Sequence, residues 1–224
     1  MDELSDPIAN SIIIDALVKL EESAFKELVR ISGNDEALTA VKPYRNEKEL
    51  RDDQAIAHRI LSLVVSINNI TIAFVDLHGS EMALKSLCPK AYAIGQEVGA
   101  KFASHNPGLK TSDKTLWELV CKMETIFGQK ANYSVISEDK IETEIEDCHL
   151  KTFIRYESCK QREAFYQGLV GVINPSFEFF FDRMLTKGDT TCHWVIRRKV
   201  MQKEIAQETK ETAKPHIEGG VQNA

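Results

Sequence analysis

"NYSVISEDKIETEIED", residues 132 to 147, decides the fold class of this 224-residue chain. β-Branched and polar residues alternate on both sides of the polar "SEDK", which predicts a β-hairpin of strands 132–137 and 140–147. Alternate residues of a strand share one face, so Ile141, Thr143 and Ile145 should face a core. The glutamates between them then face solvent. The stretch therefore predicts an antiparallel sheet in a chain whose preceding half has helical spacing.

Ahead of the hairpin, apolar residues recur at helical spacing in four segments: about 10–33, 49–77, 80–104 and 112–128. Gly33 should end the first helix, and Pro89 should kink or split the third. The polar segment "NDEALTAVKPYRNEK" reads as a connection between the first two helices.

After the hairpin, the pattern predicts a helix from Cys159 to Asn174, with Ser158 and Gln161 as a capping box. Two strands follow, at about 177–186 and 192–200. The whole order predicts an α+β fold in which helices cover an antiparallel sheet and the N-terminal half is helical. We expect one domain over residues 1–206, mainly helical at 10–128 and hairpin–helix–hairpin at 131–200. Residues 207–224 lack apolar periodicity, which predicts a disordered tail.

Charge and composition narrow the possible partners and the compartment. The net charge is −6 and the two signs are interspersed, so no broad basic face is available for nucleic acid. The acidic N-terminus lacks the features of a secretory signal, which predicts a cytoplasmic protein. The uncharged stretch from Ile60 to Val75 contains serine and asparagine, which favours a buried helix over a membrane span.

The five cysteines have no close Cys-x-x-Cys spacing, so we expect thiols rather than disulfides. The predicted capping box places Cys159 in the first turn of a helix, where the dipole and unpaired N–H groups favour a thiolate and a lowered pKa. Such a thiol can attack an electrophilic carbon, bind a metal or only pack in the core. The residues leave these three roles open.

A second cysteine lies in "GDTTCHWVIRRK", residues 188 to 199. Cys192 and His193 are adjacent in a predicted strand, so they point to opposite faces and do not readily bind one metal ion. A zinc site through Cys148, Cys159 and Cys192 requires that distant segments converge. Our expectation is therefore no metal, with zinc as the alternative.

The segment from Cys148 to Trp194, about a fifth of the chain, resembles the L-2-amino-thiazoline-4-carboxylic acid hydrolase-like family. It more distantly resembles the 4-vinyl-reductase domains, which share the TRAPP-subunit-like fold. Cys148, Cys159 and "GDTTCHW" carry the resemblance, together with Tyr166-x-Gly168 and Asn174-Pro175. The resemblance implies a small-molecule pocket between helices and sheet, often in a homodimer. Met184 stands where the sensor branch usually has a cysteine, which weakens the zinc alternative.

The leading hypothesis is a hydrolase that opens a carbon–nitrogen bond of a small heterocyclic or amide-like substrate. Cys159 or Cys192 would be the nucleophile, His149 or His193 would transfer protons, and Asp189 would orient a partner. Cys148, Tyr166 and Trp194 would contact the substrate. The alternatives are a non-catalytic sensor or regulatory domain and a dimeric scaffold. The hydrolase hypothesis requires the sulfurs of Cys159 and Cys192 to meet beside a cavity.

Overall fold

The computed structural model describes residues 7–42, 56–107, 113–126, 132–137, 140–145, 148 and 154–199. Six α-helices lie in these ranges: α1 Pro7–Ser32, α2 Asn34–Val41, α3 Ile56–His78, α4 Ser80–His105, α5 Asp113–Ile126 and α6 Tyr156–Ile173. Four strands accompany them: β1 Asn132–Ser137, β2 Lys140–Ile145, β3 Phe177–Arg183 and β4 Cys192–Arg198. The α+β class with a helical N-terminal half is confirmed. The predicted tail at 207–224 and residues 49–55 of the second predicted helix lie outside the described residues.

The four strands form one antiparallel sheet in the order β1-β2-β4-β3. The register aligns core residues in rows across the sheet, with Thr143 opposite Trp194 and Trp194 opposite Phe181. Ile141 and Ile145 are buried on this face, as the alternation in the hairpin predicts. Helix α6 covers the face, where the Tyr166 ring lies 5.0 Å from the Phe179 ring. The sheet and α6 therefore share one apolar core.

Helix α4 packs closely on α6 because glycines remove the side chains between them. A Cβ on Gly99 would lie 2.7 Å from the Leu169 carbonyl oxygen, and one on Gly95 or Gly168 would overlap the facing backbone. The close approach of the two backbones requires glycine at these positions, although a glycine inside a helix costs about 1 kcal/mol of stability relative to alanine. Of the two predicted effects of Pro89, a split is wrong, because α4 is continuous from Ser80 to His105 with Pro89 inside it.

Two helix junctions have the same glycine geometry. Gly33 has φ 83° and Gly79 has φ 82°, a left-handed conformation that side chains disfavour. Gly33 ends α1, as predicted, but the next residues form α2 rather than an irregular connection. Ala37 and Val41 of α2 are buried in a satellite core with Leu28 and Phe74.

Helix α3 includes a 21-residue segment, His58–His78, that is long and apolar enough to cross a membrane by length and composition. The buried central helix of a folded domain has the same properties. Ile60, Ala73 and Phe74 of this helix are buried inside the described structure.

Candidate functional site

A cavity of about 80 Å³ lies between α1, α3, α5 and α6. Aliphatic side chains and one aromatic ring form most of its wall, and a thiol, a guanidinium and three uncharged polar groups complete it. The lining residues are Ile13, Ala16, Leu17, Leu20, Val64, Ile67, Asn68, Met123, Ile154, Ser158, Cys159, Gln161, Arg162 and Phe165.

Most polar groups on the wall are engaged in hydrogen bonds between α6 and α3. The Arg155 N–H and the Ser158 hydroxyl donate to Asn68 Oδ1 at 3.3 and 2.8 Å. Gln161 Nε2 donates to Thr71 Oγ1 at 2.8 Å. These bonds fix the start of α6 against α3 and leave the interior of the cavity largely apolar.

The predicted capping box of Ser158 and Gln161 is wrong. Helix α6 begins at Tyr156, and its N-cap is Arg155, which makes no side-chain cap. The backbone N–H of Cys159 already donates to the Arg155 carbonyl at 3.3 Å, so it is not an unpaired first-turn donor. Ser158 and Gln161 bind α3 side chains instead, a tertiary role with the same residue types.

Cys159 lines the cavity, but its thiol is not activated. It is only 5% exposed, and burial raises its pKa, which nearby Arg162 and the Thr186 hydroxyl only partly offset. Thr186 Oγ1 donates to Cys159 Sγ at 3.4 Å. The prediction of a lowered pKa is therefore wrong, because desolvation of the thiolate outweighs the favourable charge and hydrogen bond.

Cys192 lies in the same buried region without lining the cavity. Its Sγ accepts a hydrogen bond from the Leu185 N–H at 3.2 Å, and burial raises its pKa. The pKa of Cys192 also responds to Cys148 and Cys159, so the three distant thiols converge in one part of the core. Within the described residues, however, no group of three or more histidine, cysteine or carboxylate side chains is arranged to hold a metal ion.

The structure separates His193 from the thiols. It extends from the opposite face of β4, where Nδ1 lies 3.2 Å from Asp182 Oδ2 and Nε2 lies 3.6 Å from Glu142 Oε2. His149 lies outside the described residues. The Asp189 carboxylate accepts the Met184 N–H at 2.7 Å, so it closes the turn between β3 and β4. Gly188 in the same turn has φ 102°.

Of the predicted substrate contacts, Tyr166 and Trp194 are fully buried in the core and do not line the cavity. The Phe179 ring lies between them, 5.0 Å from Tyr166 and 5.5 Å from Trp194. Cys148 is also buried and absent from the cavity wall. None of the three predicted substrate contacts therefore reaches the cavity.

Sequence reasoning missed a buried ionic cluster beside the cavity. Arg162 Nη1 lies 3.6 Å from Glu124 Oε2 of α5, and Glu124 is 1% exposed. Burial alone would lower the pKa of Arg162 and is the largest single effect, but the Glu124 carboxylate acts together with Cys159, Tyr166 and Cys148 to raise it. Burial, with Glu124 nearby, also raises the pKa of Tyr166 well above its usual range. A signal was present, since Glu124 follows Trp117 and Val120 at helical spacing on the apolar face of α5.

The ionic cluster is incompletely hydrogen-bonded. Among the described residues, neither Glu124 oxygen, the Tyr166 hydroxyl nor the Arg162 Nε–H has a hydrogen-bond partner, although all are buried. The Arg162 guanidinium carbon lies 5.2 Å from the centre of the Phe181 ring, which adds a cation–π contact. Arg162, which lines the cavity, therefore has an N–H donor that no described residue accepts.

No protein-family model matches the chain, and no curated protein matches it. The hydrolase-like family is therefore not confirmed. Among solved structures, the chain is similar to a trafficking protein particle complex subunit 3 from Naegleria fowleri covalently bound to palmitic acid, at 16% identity and a TM-score of 0.47. That match covers 64% of this chain and 95% of the subunit.

The chain is also similar to an H-NOX protein from S. oneidensis in the Fe(II) ligation state, at 11% identity and a TM-score of 0.42. This match covers 84% of this chain and 96% of the other. The same protein in the Fe(II)NO state gives a TM-score of 0.41 at 11% identity, over 84% and 99% of the two chains. Scores below 0.5 describe a distant likeness of α+β architecture and carry no argument about a ligand.

Proposed function

We propose that this protein is a non-catalytic binding domain, of the sensor or regulatory kind, which takes a small apolar molecule into the cavity between α1, α3, α5 and α6. One observation carries the proposal: an apolar cavity of about 80 Å³ is bordered by a thiol that is not activated. This is the alternative to the hydrolase hypothesis in the sequence analysis.

The wall of the cavity suits an apolar ligand. Aliphatic groups such as Leu17, Val64 and Ile67 offer water few hydrogen bonds, so a hydrocarbon fills the space more favourably. The volume fits a slender molecule rather than a drug-sized one, since pockets for larger ligands measure roughly 300 to 1,000 Å³. Binding would also tie together four helices from distant parts of the chain.

The thiols support binding better than hydrolysis. A cysteine nucleophile reacts as the thiolate, and enzymes lower its pKa with an adjacent base or cation. Here burial raises the pKa of both Cys159 and Cys192, and His193 lies on the opposite face of the sheet. Within the described residues, no imidazole lines the cavity to serve as a general base.

The test measures binding of 2-methyl-1-heptene, a slender neutral hydrocarbon, to the full chain by NMR titration. We expect saturable binding that is lost in Val64→Trp, because the larger side chain fills the cavity from α3. Val65→Trp is the matched control, since Val65 is next to Val64 on the helix and does not line the cavity. Circular dichroism checks that both variants fold.

Two results would contradict the proposal. One is binding of 2-methyl-1-heptene that does not saturate or that is equal in the two tryptophan variants. The other is turnover of 2-amino-thiazoline-4-carboxylate, followed by mass spectrometry, that disappears in Cys159→Ser while the variant stays folded. The second result would restore the hydrolase hypothesis.

A further inference from the structure

Arg162 is the described residue on the cavity wall that combines charge with an unused buried donor. The uncharged polar residues on the wall form hydrogen bonds that join α6 to α3; they are Asn68, Ser158 and Gln161. The Nε–H of Arg162 is enclosed and has no acceptor among the described residues. A buried donor without a partner costs about 1 to 3 kcal/mol, so an acceptor brought by a ligand would be favoured there.

The charge of Arg162 is already balanced. Glu124, which is 1% exposed, lies 3.6 Å from the guanidinium and supplies one negative charge. A second carboxylate brought into the same enclosed region would be repelled by Glu124 and would lose its hydration. A neutral acceptor avoids both the repulsion by Glu124 and the loss of a charged group's hydration. Arginine has five N–H donors, so Arg162 can donate one hydrogen bond to a ligand while it stays paired with Glu124.

Resting on the proposed function, we infer that the ligand of this cavity is a neutral, mainly aliphatic molecule with one carbonyl oxygen, which accepts a hydrogen bond from Arg162. The aliphatic part lies among Leu17, Val64, Ile67 and their neighbours. The guanidinium turns toward the ligand, while Glu124 stays its counterion. Arg162 is thus a specificity-determining residue rather than a catalytic one.

The test measures the binding of two molecules of nearly the same shape by NMR titration of the full chain. 2-Heptanone carries a carbonyl, and 2-methyl-1-heptene has a CH₂ group in place of the oxygen. The measured quantity is the ratio of the two Kd values in each protein. The two molecules differ in hydrophobicity, but this difference affects the ratio equally in wild type and variant, so it cancels when the two ratios are compared. We expect Arg162→Met to shift this ratio roughly tenfold against the ketone, the worth of one hydrogen bond.

Two further variants keep the test decisive. Arg162→Met leaves Glu124 buried without its counterion, so the double variant Arg162→Met with Glu124→Leu is measured beside it and should show the same shift. In Glu124→Gln the guanidinium loses its internal anion, and heptanoate should gain roughly tenfold relative to 2-heptanone. Arg155→Met is the control, because Arg155 pairs with Asp76 at 3.1 Å and does not line the cavity.

The outcomes separate the two proposals. If neither the ketone nor the alkene binds, the binding function itself fails. If both bind and the ratio of their Kd values is unchanged in the folded double variant, the cavity binds ligands but Arg162 does not recognise a carbonyl. A gain of the carboxylate in Glu124→Gln together with the shifted ratio supports the inference.

Discussion

Gly168 of α6 and Tyr92 of α4 meet backbone to backbone, and a Cβ on Gly168 would overlap the Tyr92 carbonyl oxygen. The same helix pair brings Gly95 against the Phe165 carbonyl. Since Phe165 and Arg162 of α6 line the cavity, this contact with α4 also positions the cavity wall.

The glycine contact predicts a large loss of stability in Gly168→Ala. The added methyl has only backbone atoms to displace, so α4 and α6 must separate, at a cost of about 3 kcal/mol. Gly171→Ala is the matched control on the same helix, where the nearest atom to an added Cβ is the Tyr92 hydroxyl at 4.0 Å. It should be neutral or slightly stabilising. Urea unfolding of both variants measures the difference, and equal stability would contradict the close packing.

The Arg162–Glu124 pair predicts non-additive effects on stability. Arg162→Met leaves a carboxylate that is 1% exposed without its counterion, and we expect a loss of about 3 kcal/mol. Replacing both residues, with Glu124→Leu, should restore most of that loss because no buried charge remains. A double-mutant cycle from chemical denaturation measures the coupling. Additive losses would show that the two charges act independently.

The alternating pattern of the hairpin predicted the sheet because period-2 burial is a local property. Ile141 and Ile145 face the core as their spacing requires, and Cys192 and His193 point to opposite faces of β4. The helix α2 could not be predicted, since "NDEALTAV" is short and polar and is stabilised by burial of Ala37 and Val41. Tertiary contacts override local propensity there.

The candidate site was only partly predictable for the same reason. The sequence placed Cys192 on the apolar face of its strand but could only require, not derive, that it meet Cys159 beside a cavity; Cys159 lines the cavity and Cys192 does not. The raised pKa of Cys159 could not be predicted, because burial depends on packing by distant helices. The cavity itself is formed by four helices, and no local pattern shows where their side chains leave a gap.

The burial of Cys159 predicts slow alkylation. Its pKa is raised by burial, and the sulfur is enclosed by the helices and Thr186. At pH 8, iodoacetamide should modify this thiol in the folded protein at least roughly a hundredfold more slowly than in guanidinium chloride. Mass spectrometry of the peptide that contains Cys159 gives the rate. Modification as fast as in the unfolded chain would indicate an accessible thiolate and would favour the nucleophile hypothesis.

The raised pKa of Cys121 predicts that the folded protein loses stability at high pH. Burial, with Glu124 and Glu118 nearby, raises its pKa to about 12, whereas an unfolded cysteine titrates near roughly 8.5. The unfolded chain releases this proton first, so the stabilising contribution is present below about pH 8.5 and falls as the pH rises toward 12. Relative to wild type, Cys121→Ala should therefore gain stability between pH 8 and 10.5. A difference in unfolding free energy that stays constant over this range would contradict the raised pKa.

The lowered pKa of Glu27 in α1 predicts that the folded protein loses stability at low pH. The Glu27 side chain is 8% exposed, and it accepts hydrogen bonds from Arg30 at 2.6 and 3.0 Å and pairs with Lys90 of α4 at 3.2 Å. The Arg30 hydrogen bonds, with Lys90, lower its pKa despite burial, so its contribution is present above roughly pH 4.3 and is lost as the pH falls through the folded value. Glu27→Gln should cost about 2 kcal/mol at pH 7 and much less at pH 3. Glu22→Gln, at an exposed pair with Lys26, should change little at either pH.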